Sequence, residues 1–172
     1  MQLLKTIREF DVHPDAPETH IDEYSERHAA RAIVLDDEGR VALLRVNKYS
    51  YHKLPGGGVE ADEDMRQALK RELREEIGCE AEVMAEVGEI IEYRDQWSLR
   101  QTSDCYLARK VGEQVSPDFD EGELADDFEM LWVDSIDEAI QLLEGDTPTN
   151  YDGDFIHVRD LILLRAAKEL IK

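Results

Sequence analysis

The chain has 172 residues, enough for one domain with a substantial core. Asp and Glu number 41 against 20 Lys and Arg, a formal charge of −21. That field repels phosphate backbones and anionic lipid, which argues against a nucleic-acid polymer or a membrane as partner, and it disfavours anionic small molecules unless metal cations reverse the local sign. Solvated surface in a salt-rich habitat is the bland source of the same acidity.

In chain order, residues 1–12 predict an edge strand or a short helix, and residues 13–26, with Pro14 and Pro17, a surface connection. Residues 28–35 read as a strand, 36–39 as a hairpin turn and 41–46 as the returning strand. Pro55 and three glycines break the chain before a helix over 64–77, which Gly78 caps. Long β segments at 81–93 and 98–109 flank a polar tip at 94–96. An acidic loop at 112–128, a strand at 129–133, a helix at 136–143 and an amphipathic helix at 155–171 complete the chain. The order predicts an α+β fold, a mixed sheet with helices on its faces, in one domain over 1–172. Residues 1–26 form its N-terminal extension and 154–172 its C-terminal helix.

Cys79 and Cys105 read as buried reduced thiols, the five histidines lack zinc spacing, and no apolar run reaches the roughly 20 residues of a membrane span. A cytoplasmic location is expected. The stripe Ile162, Leu163, Ala166 and Leu170 suits either a core or a homodimer contact.

The chemistry concentrates in residues 55–79. At about 100° of rotation per residue, Glu72, Glu75 and Glu76 share one helix face. Met65, Ala68, Leu69, Leu73 and Ile77 mark the buried stripe; Glu72 and Glu76 fall in or beside it, Glu75 at its edge, and Gln67, Arg71 and Arg74 on the solvated side. A charged helix surface is the bland reading, but surface glutamates should avoid an apolar arc, and like charges at i,i+4 repel. Carboxylates so placed call for a cation, and their hard oxygens suit Mg²⁺ or Mn²⁺. Gly56–Gly58 let backbone approach a ligand or metal, while Arg71 suits Glu60 or Glu63 as a two-bond partner.

Gly57, then Glu63, then Arg71-Glu72-Leu73-Arg74-Glu75-Glu76-Ile77-Gly78-Cys79 resembles the Nudix box, G-x5-E-x7-R-E-U-x-E-E-x-G-U with U a bulky aliphatic. Every fixed polar and glycine position is met. Cys79 is small for the last U, and Asp62 stands where glycine is common. The flanking order of elements also looks like the Nudix fold.

The resemblance implies hydrolysis of a nucleoside diphosphate linked to another moiety, with Mg²⁺ or Mn²⁺. It implies Glu72, Glu75 and Glu76 as metal ligands, a carbonyl at Gly56 or Gly57 as a further one, and Glu63 and Arg71 as organisers of the catalytic box. The proton acceptor would be Glu75, Glu76 or an acid of the loop ahead of Trp132; there Asp126 or Glu123 would help hold a metal or act as base, and Asp126 is also a candidate substrate contact. Arg45, Asn47, Tyr49, Tyr51 and His52 precede the glycines as candidate substrate contacts, Arg45 for a phosphate and Tyr51 for a base; Trp97 and Arg100 stand near the hairpin tip. No proline lies between Pro55 and Pro117, where ADP-ribose hydrolases carry one. A small nucleotide, most simply a modified nucleoside triphosphate, is the expected substrate; ADP-ribose, a nucleotide sugar or a dinucleoside polyphosphate is the alternative. A non-catalytic nucleotide sensor is disfavoured by the intact box.

Overall fold

The computed structural model describes residues 1–171. It runs β1 (Leu3–Ile7), α1 (Glu9–Val12), β2 (Ser25–Leu35), β3 (Val41–Val46), β4 (Tyr51–Lys53), β5 (Gly56–Gly58), α2 (Met65–Ile77), β6 (Glu80–Arg94), β7 (Leu99–Val111), α3 (Glu121–Ala125), β8 (Phe128–Val133), α4 (Ile136–Gly145) and α5 (Tyr151–Leu170). These strands form one sheet in the order β1-β6-β7-β2-β3-β4, with β5 added to β2 and β8 to β3. The sheet is mixed: β1 runs parallel to β6 and β2 to β7, and the other pairs are antiparallel.

Period-two alternation along β2 explains the layering. Ala30, Ala32 and Val34 face one way and pack against Ala68, Leu69, Leu73 and Ile77 of α2. Ile33 faces the other way, toward Leu143 of α4 and Phe155, Leu163 and Leu164 of α5. The small alanines let α2 lie close to the strand, and full burial of each of its large apolar side chains contributes roughly 1.5–3 kcal/mol. The expected sheet between helices is therefore present. The α5 stripe serves this core: Leu163 is buried, Ile162 and Ala166 pack against it, and Leu170 stays exposed.

Both ends of α2 are set by local chemistry. The Asp64 side chain accepts hydrogen bonds from the Arg66 and Gln67 amides, and the Gln67 side chain accepts one from the Asp64 amide. Gly78 closes the helix at φ +64, where a Cβ would sit 1.9 Å from the Val115 carbonyl oxygen.

Residues 1–12 hold both of the expected alternatives, an edge strand β1 and a short helix α1. Three segments depart from expectation. The glycine break is a strand, because residues 56–58 pair with residues 29–31 of β2. Only glycine permits this at position 56: φ is +125 and a Cβ would lie 2.1 Å from the Ala30 carbonyl oxygen. The acidic loop contains α3, nucleated by the Asp120 side chain accepting from the Glu123 amide. The last helix starts at Tyr151 because Asn150 caps the Gly153 amide. Among the described residues, no helix is long and apolar enough to cross a membrane.

Candidate active site

The helix α2 presents its carboxylates along the glycine strand. A Cβ on Gly57 would lie 2.4 Å from Glu72 Oε1, so the missing side chain is what admits the Glu72 carboxylate. The carbonyl oxygens around it are engaged: Gly56 O accepts from Arg31 Nη1 at 2.6 Å, and Gly58 O from Arg71 Nη2 at 3.0 Å. Gly57, proposed from the motif as a metal ligand, pairs with Ala30 across the two strands.

Arg71 corrects the helical-wheel placement. Instead of facing solvent, it sits at the centre of the acid cluster. Its Nε and Nη2 donate to both Glu63 oxygens at 3.1 and 2.6 Å, and its Nη1 reaches Glu72 at 2.7 Å and Glu75 at 3.2 Å. The fork ties the loop before α2 to the helix face with charge-assisted bonds. Glu63 is accordingly held below its ordinary value by the Arg71 hydrogen bond. Glu72 shifts the other way, first through burial and then through repulsion by Glu76.

Glu76 is 1% exposed. Its Oε1 accepts from Lys53 Nζ at 2.7 Å and its Oε2 from the Gly56 amide at 2.5 Å. Lys53, from β4, was not foreseen as part of the site.

Glu72, Glu75, Glu123 and Asp120 line a cavity of about 630 Å³, and Glu72, Glu76 and Glu123 line an adjoining one of about 550 Å³. Burial, opposed by the Asp120 amide and reinforced by Glu76, raises the Glu123 carboxyl to about 7. Asp126, the other loop acid considered, turns away to Lys48 Nζ at 2.8 Å. Arg45 is exposed on β3, opposite Glu129 and His52. The Tyr51 ring lies beneath Gly153 of α5, buried. None of these three reaches either cavity.

The donor set fits a hard divalent cation. Glu72 and Glu76 are close enough to repel, and both are largely withdrawn from water, so a cation between them relieves a real electrostatic cost. Among the described residues, no three acidic, imidazole or thiol groups already form a closed cage. Arg71 donates to Glu75 and Lys53 to Glu76, so both carboxylates are engaged by cationic side chains.

Beneath the site lies a buried polar layer that sequence reading missed. Asp160 of α5 accepts from the Leu54 amide at 2.8 Å and from Arg159 Nε at 2.7 Å. Arg159 and Glu92 are fully buried and ion-paired at 3.4 Å. Adjacent charges inside an apolar stretch, as in His157-Val158-Arg159-Asp160-Leu161, are the available signal, since an exposed pair would not need apolar neighbours on both sides.

A family model described as NUDIX domain matches residues 26–152. The chain is 35% identical over 78 residues to an RNA pyrophosphohydrolase of Methylococcus capsulatus, covering 45% of this chain and 39% of that one. It is 41% identical over 56 residues to a CTP pyrophosphohydrolase of Escherichia coli, covering 30% of this chain and 42% of the relative. The chain thus spans about two fifths of the length of these curated relatives. The structure of a MutT protein from Methanosarcina mazei superposes with a TM-score of 0.58 at 21% identity, covering 89% of this chain and 100% of that one, a likeness of fold. With the family match spanning most of the chain, the chain belongs to the NUDIX family.

Proposed function

We propose that this protein is a hydrolase that cleaves the diphosphate linkage of a small nucleotide, with Mg²⁺ or Mn²⁺ held by Glu72, Glu75 and Glu76. The observation that carries the reading is that Glu72 lies against Gly57 and Glu76 accepts from the Gly56 amide, with Glu75 on the same helix, around two adjoining polar cavities. When bound, the metal supplies charge neutralisation at phosphorus and acidifies a water.

The chain's own residues account for the remainder. Arg71 fixes the helix face against Glu63 and the Gly58 carbonyl. Lys53 places positive charge beside Glu76 at the cavity wall. Glu123, lining both cavities with a carboxyl near 7, is poised to accept a proton at neutral pH. A nucleoside triphosphate is the preferred substrate, with ADP-ribose, nucleotide sugars and dinucleoside polyphosphates as alternatives. One NUDIX domain spanning the chain is supported by its single sheet. A cytoplasmic setting is supported by the buried unpaired cysteines.

The test is a nucleotide panel with Mg²⁺, following phosphate or pyrophosphate release, with Glu76→Gln alongside. We expect cleavage by the wild type and a loss of at least about 100-fold in the variant, the scale reached by disturbing even the supports of a metal site. No cleavage on a broad panel overturns the hydrolase reading; full activity in Glu76→Gln overturns the metal assignment.

A further inference from the structure

Acids outnumber bases by 41 to 20 in this chain, yet three arginines converge beneath the glycine strand. Arg27, Arg31 and Arg94 all line the cavity of about 550 Å³. Arg94 is matched by carboxylates, with Nη1 at 2.7 Å from Asp152 and Nη2 at 2.9 Å from Glu92. The neighbouring Arg159 is matched too, by Asp160 and Glu92.

Arg27 and Arg31 are not. Arg27 donates to the neutral Gln101 Oε1 at 3.0 Å, and Arg31 to the neutral Gly56 carbonyl at 2.6 Å. Neither forms an ion pair among the described residues. Arg31 is only 4% exposed, and its Nε, like Arg94 Nε and Arg159 Nη2, is buried with no hydrogen-bond partner among the described residues. A guanidinium in that condition is costly, because its hydration is lost and little replaces it. Desolvation and the charge of Arg159, opposed by Asp160, Glu92 and Glu76, hold Arg31 down to about 10, and Arg27 is lowered by desolvation and by Arg94 and Arg159, opposed by Glu72 and Glu92. A structural arginine in so acidic a chain would be expected to find a carboxylate, as Arg159 does.

The strand β5 is a thin wall between these arginines and the metal-site acids. On one side a Cβ at Gly57 would strike Glu72; on the other a Cβ at Gly58 would lie 3.0 Å from Arg27 Nη2. Glu72, Glu76, Arg27 and Arg31 nevertheless line one continuous cavity. A ligand lying along β5 meets the glutamates at one end and unmatched guanidinium groups at the other.

We propose that Arg27 and Arg31 form a phosphate subsite, so that the substrate carries a third phosphate besides the diphosphate held at Glu72, Glu75 and Glu76. Guanidinium groups offer paired donors matched to phosphate oxygens, and the bound anion supplies the direct ionic contact that the nearby carboxylates do not make with Arg27 or Arg31. The substrate class is a diphosphate compound bearing one further phosphate, either on the same chain, as in a nucleoside triphosphate, or on the attached sugar. The catalytic part of this inference rests on the hydrolase reading above; the binding part does not.

Calorimetry on the full chain with inorganic triphosphate, with and without Mg²⁺, tests the subsite directly. We expect binding by the wild type, weakened about tenfold or more by Arg27→Gln, as for loss of a hydrogen bond to a charged group. Arg31→Lys, which keeps the buried charge but loses the planar fork, is expected to weaken it similarly. No binding by the wild type under either condition, or unchanged affinity in folded Arg27→Gln, overturns the proposal. A second arm compares kcat/KM for a nucleoside triphosphate, a nucleotide sugar phosphorylated on its sugar, and an unphosphorylated nucleotide sugar. In Arg27→Gln the preference for whichever phosphorylated compound leads should fall about tenfold; an equal loss on all three marks a merely structural arginine and overturns the proposal. The leading compound identifies the source of the phosphate. If nothing is cleaved, the hydrolase reading fails and calorimetry alone decides the subsite.

Discussion

The Lys53 ammonium lies 2.7 Å from Glu76 Oε1, with 11% of the lysine side chain and 2% of the glutamate side chain exposed. The pair joins β4 to α2, and the Gly56 amide supplies the second bond to the same carboxylate. Lys53 is thus an internal cation at the carboxylate assigned to the metal.

Removing that cation separates the two roles of Glu76. In Lys53→Met, the buried carboxylate loses its charge partner, and we expect about 3 kcal/mol lower stability without metal, typical of a broken buried pair. Mg²⁺ should then restore more stability to the variant than it adds to the wild type, since no ammonium group competes for Glu76. Urea unfolding with and without Mg²⁺ measures both. Equal stabilisation by Mg²⁺ in the two proteins would detach Glu76 from the metal.

Glu123 sets a pH dependence. Its folded carboxyl titrates near 7 against an ordinary 4.5, so the folded state favours the protonated form. Its contribution to stability is complete below about 4.5 and disappears as pH rises through about 7. Without metal, Glu123→Gln should match the wild type at pH 4 and exceed it at pH 8 in thermal melts. With substrate and Mg²⁺, the rising limb of kcat/KM near neutrality should vanish in the same variant. A limb that persists assigns the proton acceptor elsewhere.

Gly57→Ala is a steric test of the wall between strand and helix. The new methyl would lie 2.4 Å from Glu72 Oε1, which must move. The backbone at this position needs no positive φ, so the chain should still fold, with a metal affinity weakened about 10- to 100-fold by calorimetry. Unchanged affinity would mean that Glu72 is not a ligand.

Asp160 supports the site from below. Asp160→Ala removes the acceptor of the Leu54 amide and one partner of the buried Arg159. A loss of about 3–5 kcal/mol in urea unfolding is expected, as for other buried pairs broken on one side. A loss under about 1 kcal/mol would show that the polar layer does not hold the glycine strand in place.

The box residues were legible because their chemistry is local. Three glutamates at spacings of three and four, a glycine ahead of the helix and an arginine one residue before the first glutamate fix a geometry that any α-helix reproduces. The sheet between helices was legible from the order of strands and helices, while the two faces of β2 emerged only in the fold. The glycine strand β5 was not, because three glycines carry no β signal and pair only when β2 is alongside. The wheel misplaced Arg71 because it encodes direction alone; the partner that draws this side chain inward, Glu63, lies outside the helix.

The sequence by itself determined the family, the helix that carries the acids and the order of strands and helices, all consequences of short-range spacing. Tertiary structure alone decided which charges meet. Lys53 reaches Glu76 across 23 positions, Arg31 reaches Gly56 across 25, and Asp160 reaches Leu54 across 106. Those separations carry no periodic signal, and whether a buried charge is matched depends on which strand and helix the fold lays beside it. Arg31 reads as one polar residue in a β run; only the folded neighbourhood shows that it has no carboxylate of its own.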